Sequence, residues 1–135
     1  MEFQNYINGK WTAGRAGKTF TTINPATEEI LAQVAQADAA DVESAVQAAS
    51  DAFQAWRLMP APLRGELLFK IADVLKTRKE ELARLLTQDM GKVIAEARGD
   101  VQEAIDMAYF MGGEGRRLLG YTAPVEMPNK FGMAV

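Results

Sequence analysis

The chain has 135 residues, 48% apolar and 24% charged, with a formal net charge of −3; that suffices for a core in one domain or part of a larger one, and is the wrong sign for a nucleic-acid or acidic-membrane partner. It holds no cysteine and no histidine, which excludes disulfides, thiolate nucleophiles, thiolate metal sites and any Ser-His-Asp arrangement. No apolar run approaches the roughly 20 residues of a membrane span, and the start Met1-Glu2-Phe3-Gln4-Asn5 lacks the basic and apolar regions of a secretion signal, so the cytoplasm is the expected compartment.

In chain order, Phe3 to Thr12 holds Tyr6, Ile7 and Trp11 around Asn8-Gly9, the strongest two-residue hairpin signal. Ala13 to Lys18 is a loop. Its Gly17-Lys18-Thr19 resembles the end of a phosphate-binding loop, but Thr12 stands where the pattern requires glycine, and β-branched Thr19 to Ile23 predicts a strand where a helix should follow. A plain hairpin loop is the reading. Asn24-Pro25-Ala26-Thr27 is a turn, and Ile30 to Gln36 returns as a second strand. Asp38 then caps a helix with Asp41 in its first turn; Val42, Ala45, Val46, Ala49, Phe53 and Trp56 keep helical spacing along one face. Pro60 and Pro62 end it and admit the next helix at its first turn.

From Pro62 to Lys92, leucines, Ile71 and Val74 recur at i, i+3, i+4 opposite a charged face. Thr77-Arg78-Lys79-Glu80 has the form of a capping box, so this stretch is two abutting helices or one helix kinked near Thr77. Gly91 supplies the positive-φ stop, with Lys92 near the negative end of the helix dipole. A third long helix is predicted from about Val93 to Leu119, with Val101, Ala104, Ile105, Ala108 and Met111 on its apolar side and Gly120 closing it. Gly99, Gly112, Gly113 and Gly115 cost an isolated helix about 1 kcal/mol each and signal close approach of a neighbouring backbone. Position 118 is not glycine, so Gly113-x-Gly115 fails as a dinucleotide fingerprint. Thr122 to Val125 and Lys130 to Val135 are extended around a turn at Met127-Pro128-Asn129. The last run ends in mid-strand, an exposed edge, from which the chain is expected to be the front part of a longer one.

The series Tyr6-Ile7-Asn8-Gly9-Lys10-Trp11, Ile23-Asn24-Pro25-Ala26-Thr27-Glu28-Glu29, Ala52-Phe53-Gln54-Ala55-Trp56, Arg64-Gly65-Glu66-Leu67-Leu68, Asp89-Met90-Gly91-Lys92 and Tyr109-Phe110-Met111-Gly112-Gly113 resembles the N-terminal segment of the NAD(P)-dependent aldehyde dehydrogenase superfamily. Pro60 to Glu66 and Gly99 to Glu103 are similar to the branches that oxidise aminoadipate or succinate semialdehydes.

That resemblance implies an α+β fragment, part of an α/β Rossmann-like coenzyme-binding domain over residues 1–120, with residues 121–135 starting the oligomerisation strands of a homodimer or homotetramer. It implies NAD or NADP as cofactor and an aldehyde substrate. A cysteine attacks the aldehyde, hydride passes to the nicotinamide, and a glutamate activates the water that hydrolyses the thioester. In the family those groups lie beyond this length, so the 135 residues alone are expected to be inactive. Two carry-overs fall inside the segment. A monovalent cation site is implied at Thr22, Ile23 and Asp89, against a reading of Asp89 as a helix-end acid with a local hydrogen bond. Glu103 is implied on the wall of the aldehyde entrance, where Gln102, Glu103 and Asp106 would meet a polar substrate tail; a solvated helix face is the competing account. Trp56, Tyr109 and Phe110 are assigned to packing and Arg64 to a structural ion pair. The rival to an enzyme segment is a non-catalytic, standalone helical interaction or oligomerisation module.

Overall fold

The computed structural model describes residues 2–134. Strand β1 (Glu2–Phe3) leads into a hairpin of β2 (Asn5–Ile7) and β3 (Lys10–Thr12). Asn8 and Gly9 both take positive φ, 51° and 75°, as a two-residue turn matched to strand twist requires. The register sets Tyr6 opposite Trp11 with ring centroids 4.9 Å apart. After the loop come β4 (Thr19–Ile23) and β5 (Ile30–Ala35). They pair antiparallel, and β1 lies parallel on the other edge of β5, giving the order β1-β5-β4. The phosphate-loop likeness ends there, because Thr19 begins a strand.

Helix α1 (Ala39–Trp56) starts on a reciprocal cap. Asp38 Oδ1 accepts from the Asp41 amide at 2.9 Å, and Asp41 Oδ2 accepts from the Asp38 amide at 3.0 Å. Asp41 also accepts from the Arg15 amide, tying the preceding loop to the helix start. It is the buried charged residue among those described, and its amide partners explain why burial is tolerated.

Helix α2 (Ala61–Thr77) opens at Pro60 with Pro62 in its first turn, and α3 (Lys79–Met90) follows after the single residue Arg78. The break falls where expected, but Thr77 does not cap it. Its hydroxyl donates back to the Val74 carbonyl at 2.8 Å, the competing local bond open to a threonine in a last helical turn. Arg78 holds the N-cap position and pairs with Glu81 instead. Gly91 ends α3 at φ 72°.

Helix α4 (Ile94–Glu114) ends one turn earlier than expected, at Gly115 rather than Gly120. Three glycines in four residues leave little propensity to continue. A Cβ at Gly115 would lie 2.5 Å from the Ala61 carbonyl oxygen, and one at Gly112 would lie 2.7 Å from the Phe69 ring. These two glycines do let α2 and α4 approach closely. Gly99 and Gly113 face open space and serve no such purpose.

The core is small. Ala83, Ala97, Val101 and Ile105 are buried where α3 and α4 meet, with Leu75, Leu82, Leu86, Ile94 and Tyr109 packed around them. Of the apolar side expected for α4, Val101 and Ile105 are buried, whereas Ala104 and Met111 are exposed. Trp56 and Phe110 are more exposed than expected for packing residues, Phe110 lying under the Arg117 guanidinium, whereas Tyr109 is half-buried, its hydroxyl donating to Asp73 at 2.5 Å. Arg64 makes no ion pair among the described residues; the pair joining α2 to the segment after α4 is Glu66–Arg116. The chain closes on an antiparallel hairpin of β6 (Tyr121–Pro124) and β7 (Phe131–Ala134), turned at Asn129 with φ 62°. Val135 lies outside the described residues. The whole is α+β: short strands first, then four helices, then the hairpin.

Candidate functional site

Two of the three residues expected at a cation site, Thr22 and Asp89, lie within hydrogen-bond reach of each other. Thr22 and Ile23 end β4, where the β4–β5 register shifts between them. The chain then turns back through an Asx-type turn: the Asn24 side chain accepts from the Ala26 amide at 2.9 Å, and the Asn24 amide donates to the Glu29 carbonyl at 2.9 Å. Asp89 stands in the last turn of α3. Across 67 residues of sequence, the Thr22 hydroxyl donates to Asp89 Oδ1 at 3.4 Å. Gly91 makes this approach possible, since a Cβ there would lie 2.9 Å from Pro25 Cγ and 3.5 Å from the Ala26 amide nitrogen. The helix end is thereby pressed onto the turn.

The electrostatics at this point are unbalanced. Asp89 places a carboxylate at the negative end of the α3 dipole, and α3 has no basic residue in its last turn. Lys92, the nearest candidate, pairs with Asp100 instead. Thr22 and Asp89 present one neutral and one anionic hard oxygen, a donor set suited to a weakly demanding ion of single charge. A divalent site would call for more carboxylates, and no cluster of three His, Cys, Asp or Glu exists among the described residues.

Beside this pair runs an apolar groove of about 670 Å³, walled by Phe3, Phe20 and Val34 from the sheet and by Leu75, Leu82 and Leu86 from the helices, with Asp89 and Asp100 at its rim. Local sequence marks neither the Lys92–Asp100 pair nor the Gly91–Pro25 contact. Lys92 and Asp100 stand eight residues apart on either side of a helix start, so no local pattern marks them as a pair.

Glu103 is placed differently. It is exposed on α4, does not line the groove, and makes no side-chain hydrogen bond or ion pair among the described residues. Its neighbour Gln102 is engaged on both sides, accepting from Lys79 Nζ at 2.8 Å and donating to Asp106 at 2.9 Å. The Arg98 guanidinium of α4 holds the Glu80 carboxyl of α3 below the usual carboxylate range, and the Asp73 carboxylate of α2 raises the Tyr109 hydroxyl of α4 above the usual phenol value. These are clamps between helices.

Known proteins resemble this chain over most of its length. The profile described as "Aldehyde dehydrogenase family" matches residues 11–135. The chain is 41% identical over 124 residues to aldehyde dehydrogenase family 7 member A1 of Pisum sativum, covering 92% of this chain and 24% of that protein. It is 42% identical over 121 residues to malonate-semialdehyde dehydrogenase 2 of Geobacillus kaustophilus, covering 90% of this chain and 25% of that one. In three dimensions it superposes on the crystal structure of an NAD-dependent aldehyde dehydrogenase from Sinorhizobium meliloti with TM-score 0.89 and 33% identity, over 98% of this chain and 27% of the other. The chain thus spans about a quarter of the length of the relatives it matches.

Proposed function

Because the chain belongs to the aldehyde dehydrogenase family, we propose that it forms the first quarter of an NAD(P)-dependent enzyme that oxidises a semialdehyde to the carboxylic acid. The observation that supports this reading is the agreement of sequence and fold over nine-tenths or more of the chain with relatives named as NAD-dependent or semialdehyde dehydrogenases. With no cysteine and no histidine, the segment supplies neither a thiolate nucleophile nor an imidazole base. Bound NAD or NADP would supply the hydride acceptor, on residues outside this segment. What this quarter contributes is placement: residues 1–120 on the coenzyme-binding side, and 121–135 at the start of the oligomerisation strands of a cytoplasmic homo-oligomer, with no nucleic acid or membrane as partner. No described helix is long and apolar enough to cross a membrane.

Within that frame Thr22, Ile23 and Asp89 hold a monovalent cation, which offsets the carboxylate at the dipole's negative end. A heavier monovalent ion soaked into crystals of the full-length enzyme should give an anomalous peak beside Asp89; its absence removes the site. Glu103 faces the substrate's polar tail. An anionic side chain repels a second carboxylate and attracts an ammonium group, so Glu103 suits an aminoadipate-type tail better than a simple dicarboxylic one. In a full-length enzyme Glu103→Gln should raise KM for aminoadipate semialdehyde relative to succinate semialdehyde, and an unchanged ratio discards the role.

The parent activity is tested by a chimera in which this chain replaces the first quarter of the Geobacillus relative. NAD(P)H production from a semialdehyde is expected. A folded but inactive chimera counts against the proposal.

A further inference from the structure

The asparagines of the chain are Asn5, Asn8, Asn24 and Asn129, and of these Asn8 alone is followed by glycine. An asparagine loses its side-chain amide when the backbone nitrogen of the next residue attacks its Cγ, most readily where that residue has no side chain to crowd the attack. Asn24 is closed to this chemistry: Pro25 has no amide hydrogen to give up, and the Asn24 side chain already accepts from the Ala26 amide at 2.9 Å. Asn5 stands in β2 before Tyr6, with its side-chain nitrogen buried. Asn129 is crowded by Lys130. At Asn8 no such obstacle exists. Asn8 and Gly9 are both exposed at the tip of the β2–β3 hairpin, and the Gly9 amide donates no backbone hydrogen bond among the described residues.

The hairpin itself is what holds the reaction back. Positive φ at both positions, 51° and 75°, marks a primed two-residue turn, in which ψ at the first position is about +30°. That ψ sets the Gly9 nitrogen almost opposite the Asn8 Cβ, whereas closing a five-membered ring needs the two eclipsed. The turn must open before Asn8 reacts. Its hold is slight, because β2 and β3 have three residues each and pair only with each other among the described strands, and such ribbons are marginal in water. The Tyr6–Trp11 ring pair, with centroids 4.9 Å apart, is the cross-strand tie that resists opening.

We propose that Asn8–Gly9 is a site of spontaneous deamidation whose rate is set by the opening of this hairpin. The Gly9 nitrogen gives its proton to hydroxide and bonds to Asn8 Cγ, and the side-chain nitrogen takes up a proton and leaves as ammonia, which closes a succinimide. Water then adds to one ring carbonyl and breaks the bond from that carbon to nitrogen. Opening at Cγ yields aspartate and opening at the backbone carbonyl yields β-aspartate; overall one water is consumed, one ammonia is released and no redox step occurs. Either product makes the chain one unit more negative than −3 and adds a carboxylate to the polar cleft that Asn8 shares with Arg15, Glu43 and Asp51. Aspartate keeps the turn, since Asp-Gly suits it as Asn-Gly does. β-Aspartate threads an extra carbon into the backbone of a two-residue loop, so the Tyr6–Trp11 and Ile7–Lys10 register no longer closes.

The test ages this chain at neutral pH, natively and in urea, and follows each asparagine by peptide mapping with mass spectrometry and by enzymatic methylation of β-aspartyl carboxylates. Asn8 should gain one mass unit while Asn5, Asn24 and Asn129 do not, and should react faster in urea than in native buffer. Trp11→Ala removes the ring pair and should raise the native rate roughly two- to tenfold, leaving the helical circular dichroism and the urea rate unchanged. In urea, where turn geometry no longer matters, Gly9→Val should suppress the reaction at Asn8. Equal rates in native buffer and urea, an unchanged native rate for Trp11→Ala, or an Asn129 that reacts as fast as Asn8 would each overturn the inference.

Discussion

Two helical glycines should respond to the same substitution with opposite sign. At Gly99 a Cβ meets nothing within 4 Å, so Gly99→Ala adds helix propensity without a clash and should stabilise the helical layer by about 0.5–1 kcal/mol. At Gly65 the same propensity gain is available, but the new Cβ would run into the backbone carbonyl of Gly112 on α4. A carbonyl of a packed helix cannot swing aside as a side chain does, so α2 and α4 must separate. Overpacking of this kind costs about 1–3 kcal/mol, and the open seam also loosens Gly112 and Gly115. The net expectation is a loss of about 1–2 kcal/mol after the propensity gain. Urea unfolding followed by circular dichroism at the helical minimum would read both changes as midpoint shifts. A Gly65→Ala midpoint at or above that of the unsubstituted chain would refute the close-approach argument. A lowered midpoint for Gly99→Ala would show that its open surroundings are misjudged.

Asp41→Ala removes the reciprocal cap and frees the Arg15 and Asp38 amides; a loss of about 2 kcal/mol or more is expected, visible in the same urea titration. Gly91→Ala forces alanine into the left-handed region at about 1–2 kcal/mol and sets its Cβ 2.9 Å from Pro25 Cγ; Pro25→Ala on that background should recover part of the loss, and no recovery would mean that the ring is not the obstacle. Arg98 and Arg78 hold Glu80 and Glu81 below the usual range, and a lowered folded-state value stabilises above the unfolded value of about 4.3 and is lost as pH falls through the folded one. With no histidine in the chain, the urea midpoint should therefore stay level from about pH 8 to 6 and decline below about pH 5. The isolated chain should bind a hydrophobic dye at its uncovered faces, and a folded chain that binds none would contradict that picture.

What a reader of the sequence alone can extract is what a few neighbouring residues decide among themselves. Asn8-Gly9 turns the first hairpin, Asp38 caps α1 with Asp41, Pro60 and Pro62 separate α1 from α2, and Gly91 stops α3, because each depends on backbone conformations and hydrogen bonds within a turn's reach. Where two local options compete, that reach falls short. The Thr77 hydroxyl chose the carbonyl behind it over the amides ahead, and α4 ended at Gly115, after three glycines in four residues, rather than at Gly120. Family resemblance named Thr22 and Asp89 together, but only the tertiary structure sets them 3.4 Å apart, through a turn pressed against a glycine too small to object. Helical periodicity likewise shows that Val46, Phe53 and Ile71 belong to faces that seek cover, since spacing records which residues share a side. It cannot say what covers them: burial is settled by the surfaces that the whole fold brings together, and in these described residues those three stay in contact with water.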